Sequence, residues 1–171
     1  MSVLPFILIR AMLASHPSLG VAEGVCRPAE RGPAILIDVD GMKDRRGLLR
    51  AELYPPTDPD FLADDNVLLS EGKTFRRVEI RPPEQGNVQL CIRAPAAGTY
   101  SLILLHDRDG NRKFTFSTDG VGFPNNPRLG LSQPKAAAAR IMVGNGVVET
   151  RIVLNYRHGL FSFRPLKKDE R

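Results

Sequence analysis

One stretch carries the densest set of side chains able to do chemistry: His106-Asp107-Arg108-Asp109-Gly110-Asn111. Asp107, Asp109 and Asn111 stand at alternate positions. Oxygen ligands open a calcium loop at its first, third and fifth places, and the backbone carbonyl of Lys113 would follow at the seventh. The spacing then departs from that pattern. Gly110 stands fourth rather than sixth, Arg112 fills the sixth place, and Thr118 is twelfth where a bidentate acid belongs, with Asp119 one residue late. The same residues suit a β-turn whose Asp and Asn side chains accept backbone N–H groups. Asp107, Asp109 and Asn111 are therefore candidate calcium ligands and candidate turn residues at once.

His106 ends an apolar run and is a candidate general base, oriented by Asp107 or Asp109. A lone histidine at a strand end is more often structural, held by hydrogen bonds. Ser101 and Ser132 are the nearby hydroxyls, and neither sits in a Gly-x-Ser-x-Gly elbow. No paired carboxylates and no His-rich metal signature accompany them, so no catalytic residue is assigned. The long polar loop from Gly120 to Gln133 is the second place to expect function, because binding concentrates on long loops carried by rigid scaffolds. Phe123, Asn125 and Asn126 are its candidate binding residues, and Phe123 with Leu129 can equally plug the end of a sandwich.

These loops must hang on a scaffold, and the punctuation of the chain says which kind. Fourteen prolines and fifteen glycines in 171 residues imply short elements joined by turns. Ala34–Val39, Gly47–Tyr54, Thr74–Ile80, Asn87–Arg93, Thr99–His106, Ala138–Val143 and Val147–Tyr156 read as strands. The first two look like a hairpin with a longer loop. Asn145-Gly146 joins the last two with a strong two-residue hairpin signal. In Gly47–Tyr54, Leu49, Ala51 and Leu53 alternate with Arg50 and Glu52, the mark of a half-buried strand. Thr99–His106 is apolar enough to lie buried on both faces. Asp58 and Pro59 open a short helix that Asp64-Asp65-Asn66 ends. About seven short strands predict an all-β fold, a single antiparallel β-sandwich of transthyretin-like or Ig-like kind. Its bounds are 34–157, after an arm at 23–33 and before a tail at 158–171.

Val3–Ile9 and Ala11–Ala14 form an apolar stretch broken by Arg10, too short to span a bilayer. With the small-x-small Gly20-Val21-Ala22 behind it, the stretch reads as a signal peptide over residues 1–22. Cys26 and Cys91 are the only cysteines, and an even count in an exported chain points to one disulfide. The expected location is the periplasm or cell envelope, with no transmembrane span in the mature chain. The net charge of +5 is modest. Tryptophan is absent and aromatics are few, which disfavours a base-stacking platform and specific nucleic-acid binding.

Gly98-Thr99-Tyr100, the His106-to-Asn111 turn, Lys113-Phe114, Gly120-Val121-Gly122-Phe123, Asn125-Asn126 and Lys135-Ala136-Ala137 together resemble a bacterial family known as domain-of-unknown-function family 2141. The resemblance covers roughly Ala34 to Tyr156. It implies an exported sandwich related in shape to transthyretin or carboxypeptidase regulatory modules, and it implies no reaction. Members often carry an acid where this chain has Thr115. Tyr156-Arg157-His158-Gly159 looks like the Tyr-Arg-Gly-Ser ending of transthyretin-like hydrolases, without its serine. The expectation is a non-catalytic binding or structural module presenting the 106–133 loops to an envelope protein, glycan or lipid. The alternatives are a calcium-binding module, calcium being the one cofactor the residues suggest, and a hydrolase-like enzyme using His106 with Asp107 or Asp109.

Overall fold

The computed structural model describes residues 21–130, 132–160 and 162–170. Most of the signal-like segment lies outside them. The described strands are β1 Val21–Ala22, β2 Ala34–Asp40, β3 Leu48–Tyr54, β4 Arg76–Ile80, β5 Val88–Arg93, β6 Gly98–Asp107, β7 Gly120–Gly122, β8 Arg140–Val143, β9 Val147–Val153, β10 Asn155–His158 and β11 Ser162–Pro165. One short helix, α1, spans Asp65–Ser70. No described helix is long and apolar enough to cross a membrane.

Two sheets form a sandwich. The larger runs β1-β4-β3-β6-β7-β10-β11, with β8 on the far end of β6, and the smaller is β5-β2-β9. Most pairs are antiparallel; β1 with β4 and β2 with β9 are parallel. Leu49, Ala51 and Leu53 of β3, Leu102 and Leu104 of β6, and Ile35 and Ile37 of β2 meet between the sheets in one core. A second core lies on the outer face of the large sheet. There Phe61, Leu68, Phe75, Phe123, Ala136 and Phe163 cover Tyr54, Ile103 and Val121. The large sheet is thus buried on both faces, and the loops after β3, β6 and β7 do the covering.

That second layer explains where the structure departs from the sequence pattern. β2 and β3 are not a hairpin: they sit in different sheets, so their apolar stripes face each other across the core rather than side by side. β8 and β9 part in the same way, β8 to β6 and β9 to β2. Neither Asn145 nor Gly146 adopts a positive φ. The expected helix at Asp58 is a turn, and Asp58 instead accepts a hydrogen bond from Ala136 N at 2.8 Å, pinning the distant loop. The helix begins where the acidic run was expected to end it. Asp64 is its N-cap, accepting from Asn66 N and Val67 N. The sheet also continues past residue 157, since β10 reaches His158 and pairs with β11 inside the expected tail. β6 is the buried central strand the sequence predicts, paired along one edge with β3 and along the other with β8 and then β7.

Cys26 and Cys91 form a disulfide across a sequence separation of 65. It ties the N-terminal arm to β5, beside the hydrogen bond from Cys91 N to Gly24 O at 2.8 Å. Closing so long a loop restricts the unfolded chain. Replacing both cysteines by alanine should lower stability by about 4 kcal/mol on chain-entropy grounds. Urea unfolding of the oxidised protein and the double variant checks this, and equal midpoints would refute it.

Candidate functional site

The outer face of the large sheet is polar on β3 and β4 and apolar on β6 and β7. Strand alternation puts Arg50, Glu52 and Tyr54 on this face. Register sets Arg50 opposite Glu79 and Glu52 opposite Arg77. Arg50 Nε donates to Glu79 at 2.8 Å and Arg77 Nε to Glu52 at 2.7 Å. Arg77 Nη1 reaches Asp65 of α1 at 2.9 Å, and Tyr54 OH donates to Glu52 at 2.6 Å. Burial, reinforced by the Glu52 carboxylate, pushes the Tyr54 phenol above its ordinary range. The alternation in β3 marks Arg50 and Glu52 as solvent-facing, but they are only 6% and 5% exposed. A second layer of loops covers the face, and strand pattern alone carries no signal of that cover.

Between this floor and its roof lies a cavity of about 740 Å³. Ile103, Leu105 and Val121 continue the floor. Phe114, Phe116 and Phe163 form an aromatic wall, and the segment from Pro127 to Lys135 contributes Arg128, Leu129, Gln133 and Lys135. Phe116 and Phe163 meet edge to face at 4.8 Å between ring centres. The Arg157 guanidinium lies 5.2 Å from the centre of the Phe116 ring. Sequence reasoning missed Arg50, Glu52, Arg77, Phe114, Phe116 and Phe163. The aromatic residues of one loop, Phe114 and Phe116, were its only local signal.

The loop after β6, residues 108–119, reaches the cavity through Phe114 and Phe116. The carboxylates of Asp107, Asp109 and Asp119 lie within 4.8 Å of one another, so Asp119 joins the set in spite of its late place in the spacing. Their oxygens are engaged. Asp107 accepts from Asn111 N at 3.2 Å and Arg112 N at 2.7 Å. Asp119 accepts from Arg108 N at 3.0 Å and Thr115 N at 2.7 Å. Asp109 accepts from Asn111 N at 3.1 Å, and the Asn111 side chain accepts from Lys113 N at 2.6 Å. Gly110 and Arg112 take positive φ in the turn. These are bonds by which Asp and Asn side chains hold a turn.

His106 points to the opposite face of β6 from Asp107 and is fully buried. Its Nδ1 lies 2.6 Å from Tyr156 OH and its Nε2 2.8 Å from Arg46 O. A carbonyl can only accept, so Nε2 carries the proton and Nδ1 accepts from the phenol. Tyr156 OH in turn accepts from Lys43 N at 3.1 Å. Burial lowers the His106 pKa, outweighing the bond to Arg46 O and the Asp44 carboxylate that raise it; Arg108 also lowers it. Asp44 is itself held ionised by its ion pair with Arg108. Both ring nitrogens are thus committed to neighbours that order the 43–47 turn.

Asn126 sits on the edge of the small sheet and Asn125 beside β8, and neither lines the cavity. Asn126 Oδ1 accepts from Val153 N at 2.7 Å and its Nδ2 donates to Arg151 O at 3.1 Å. One side-chain amide thus pairs with both backbone groups of β9 as a neighbouring strand would. Asn125 Nδ2 donates to Arg140 O at 3.3 Å. Both residues adopt positive φ, which asparagine tolerates better than most. Phe123 is buried against Phe61, with ring centres 6.2 Å apart, and also lines the cavity.

A family model described as an uncharacterized protein conserved in bacteria, DUF2141, matches residues 37–151. The chain belongs to the DUF2141 family. No curated protein and no solved structure matches it. The match runs from β2 to within β9 and takes in the loops that roof the cavity of this DUF2141 domain.

The His106 and Asn126 contacts each lead to a prediction. A histidine whose pKa is lowered on folding takes its proton more readily in the unfolded chain. Its contribution is therefore complete above the unfolded value of about 6.5 and is lost as pH falls from there through the lower folded value. His106→Gln should be less stable than the parent at pH 8 and should lose less stability on going to pH 5. Denaturant unfolding across that range reads this, and equal pH slopes would refute it. Asn126→Ala, which hands Val153 N and Arg151 O over to water and puts an alanine at a positive φ, should cost about 1 kcal/mol. Thermal unfolding and light scattering on heating should show a lower midpoint and earlier aggregation.

Proposed function

We propose that this DUF2141 domain is a non-catalytic binding module of the bacterial envelope and that its binding site is the loop-roofed cavity on the outer face of the large sheet. The cavity itself carries the reading. Its volume of about 740 Å³ lies within the range of roughly 300–1,000 Å³ usual for small-molecule sites. An apolar lining with a few convergent polar groups is the ordinary composition of such sites. The disulfide and the signal-like N-terminus support an oxidising, extracytoplasmic location.

Two other readings have less behind them. An enzyme using His106 with Asp107 would need both side chains to meet one substrate, but they lie on opposite faces of β6 and His106 spends both nitrogens on Tyr156 and Arg46. A calcium site at Asp107, Asp109 and Asp119 has three converging carboxylates in its favour. The backbone donors bound to those carboxylates favour a loop built as a cavity wall.

The test is titration of the full chain, recovered from the periplasm of an expressing bacterium, with the neutral apolar fluorophore N-phenyl-1-naphthylamine. Saturable enhancement is expected in the parent, with loss of about ten-fold or more in affinity when Ala138→Trp fills the cavity. Leu129→Trp serves as a second filling variant. Equal binding by parent and both folded variants would place the fluorophore elsewhere and overturn the reading. Recovery of the chain only from the cytoplasm would overturn the envelope location.

A further inference from the structure

We infer that the cavity's ligand is an anionic amphiphile, an apolar body bearing one acidic head such as a carboxylate or a phosphate. The inference rests on the cavity being the binding site. It comes from counting which hydrogen-bonding groups of the lining are spent within the protein.

Glu52 is the one carboxylate among the lining residues, and both its oxygens are taken. Tyr54 OH donates to Oε2 and Arg77 Nε to Oε1. The cavity's carboxylate is thus neutralised and has little to offer a cationic ligand. The donors are less fully used. Arg50 spends Nε on Glu79 and Nη1 on Arg112 O. Its Nη2 comes only to 4.0 Å from the Asp107 carboxylate. Arg77 spends Nε and Nη1 on Glu52 and Asp65, which leaves Nη2. Every buried side-chain nitrogen or oxygen among the described residues has a hydrogen-bond partner. The spare Nη2 groups are therefore not sealed away, and both side chains line the cavity. On the roof, Arg128 and Lys135 face the same space and form no ion pair with a described residue.

The remaining lining is apolar, and part of it is uncovered. Phe114 and Phe116 are 45% and 41% exposed, although they flank the buried Phe163 ring at 6.3 and 4.8 Å. An occupant lying along this wall would remove that surface from water, with favourable free energy proportional to the area covered. Its head would meet guanidinium and ammonium donors, the groups that bind carboxylates and phosphates most strongly. A cationic head would find no free carboxylate, and an uncharged head would gain nothing from the charge of Arg50, Arg77, Arg128 and Lys135.

Displacement of N-phenyl-1-naphthylamine by four probes sharing one alkyl tail tests this: decanoate, decyl phosphate, decanol and decyltrimethylammonium. Decanoate or decyl phosphate should bind about ten-fold or more tighter than decanol and decyltrimethylammonium. The order of the two acids identifies the head. Arg128→Glu with Lys135→Glu should reduce the preference for the acid over decanol to below about three-fold. Saturable binding of decanol as tight as that of both acids would overturn the anionic head and leave the cavity as the binding site. Binding of the fluorophore with displacement by none of the four would overturn the amphiphile, whatever else the cavity holds. Failure of the fluorophore itself to bind would remove the site on which the inference stands.

Discussion

A guanidinium or a carboxylate can be taken out of water only beside a partner, because the loss of hydration otherwise outweighs anything folding returns. β3 buries one of each on the same face. Arg50 is matched across the ladder by Glu79, and Glu52 by Arg77, so the charges of one strand are compensated by the next. This compensation lets a second layer of chain close over what would otherwise be the wet side of a sandwich. Tyr54, Phe61, Phe75 and Phe123 can then assemble a second core beside the ladder. A hydrated floor at that place would not support the roof.

The two faces of the large sheet therefore differ in kind. Between the sheets, interdigitated aliphatic side chains form an unbroken apolar layer. On the outer face, packing is aromatic and the layer stops short of the Arg50–Glu52–Arg77 ladder, leaving the cavity between them. The loops that enclose it are held by local polar contacts. Asp107 and Asp119 gather the backbone of 108–115, and Asp58 anchors the segment before β8 through Ala136 N. Gln133 donates to Phe61 O at 3.1 Å. Hydrogen bonds from loop to loop hold the roof in place without filling the space beneath it.

The residues singled out by chemical type turn out to divide by task. His106 organises the turn beneath it, Asn126 finishes the edge of β9, and the Asp107–Asn111 turn holds the backbone that leads to Phe114 and Phe116 of the cavity wall. Their side chains are suited to chemistry, and the structure uses their hydrogen-bonding capacity for positioning. Of the candidate site residues only Phe123 lines the cavity, which is otherwise built from residues of ordinary appearance in the sequence: two strand arginines and a glutamate, three further phenylalanines and a basic loop.

The sequence by itself determined the class of fold, the central strand, the disulfide and the family. These rest on local or pairwise signals: alternation along a strand, turn residues between strands, a count of two cysteines, and a motif between Gly98 and Asn126. It did not determine which strands pair. Asn145-Gly146 allows a hairpin, yet β9 pairs with β2 in the other sheet, where Ile152 joins the core between the sheets. Nor did it determine the cavity. Whether Arg50 and Glu52 face water or a roof depends on where the loops after residues 54, 107 and 122 come to rest. That is settled by contacts between segments tens of residues apart, which no local pattern encodes.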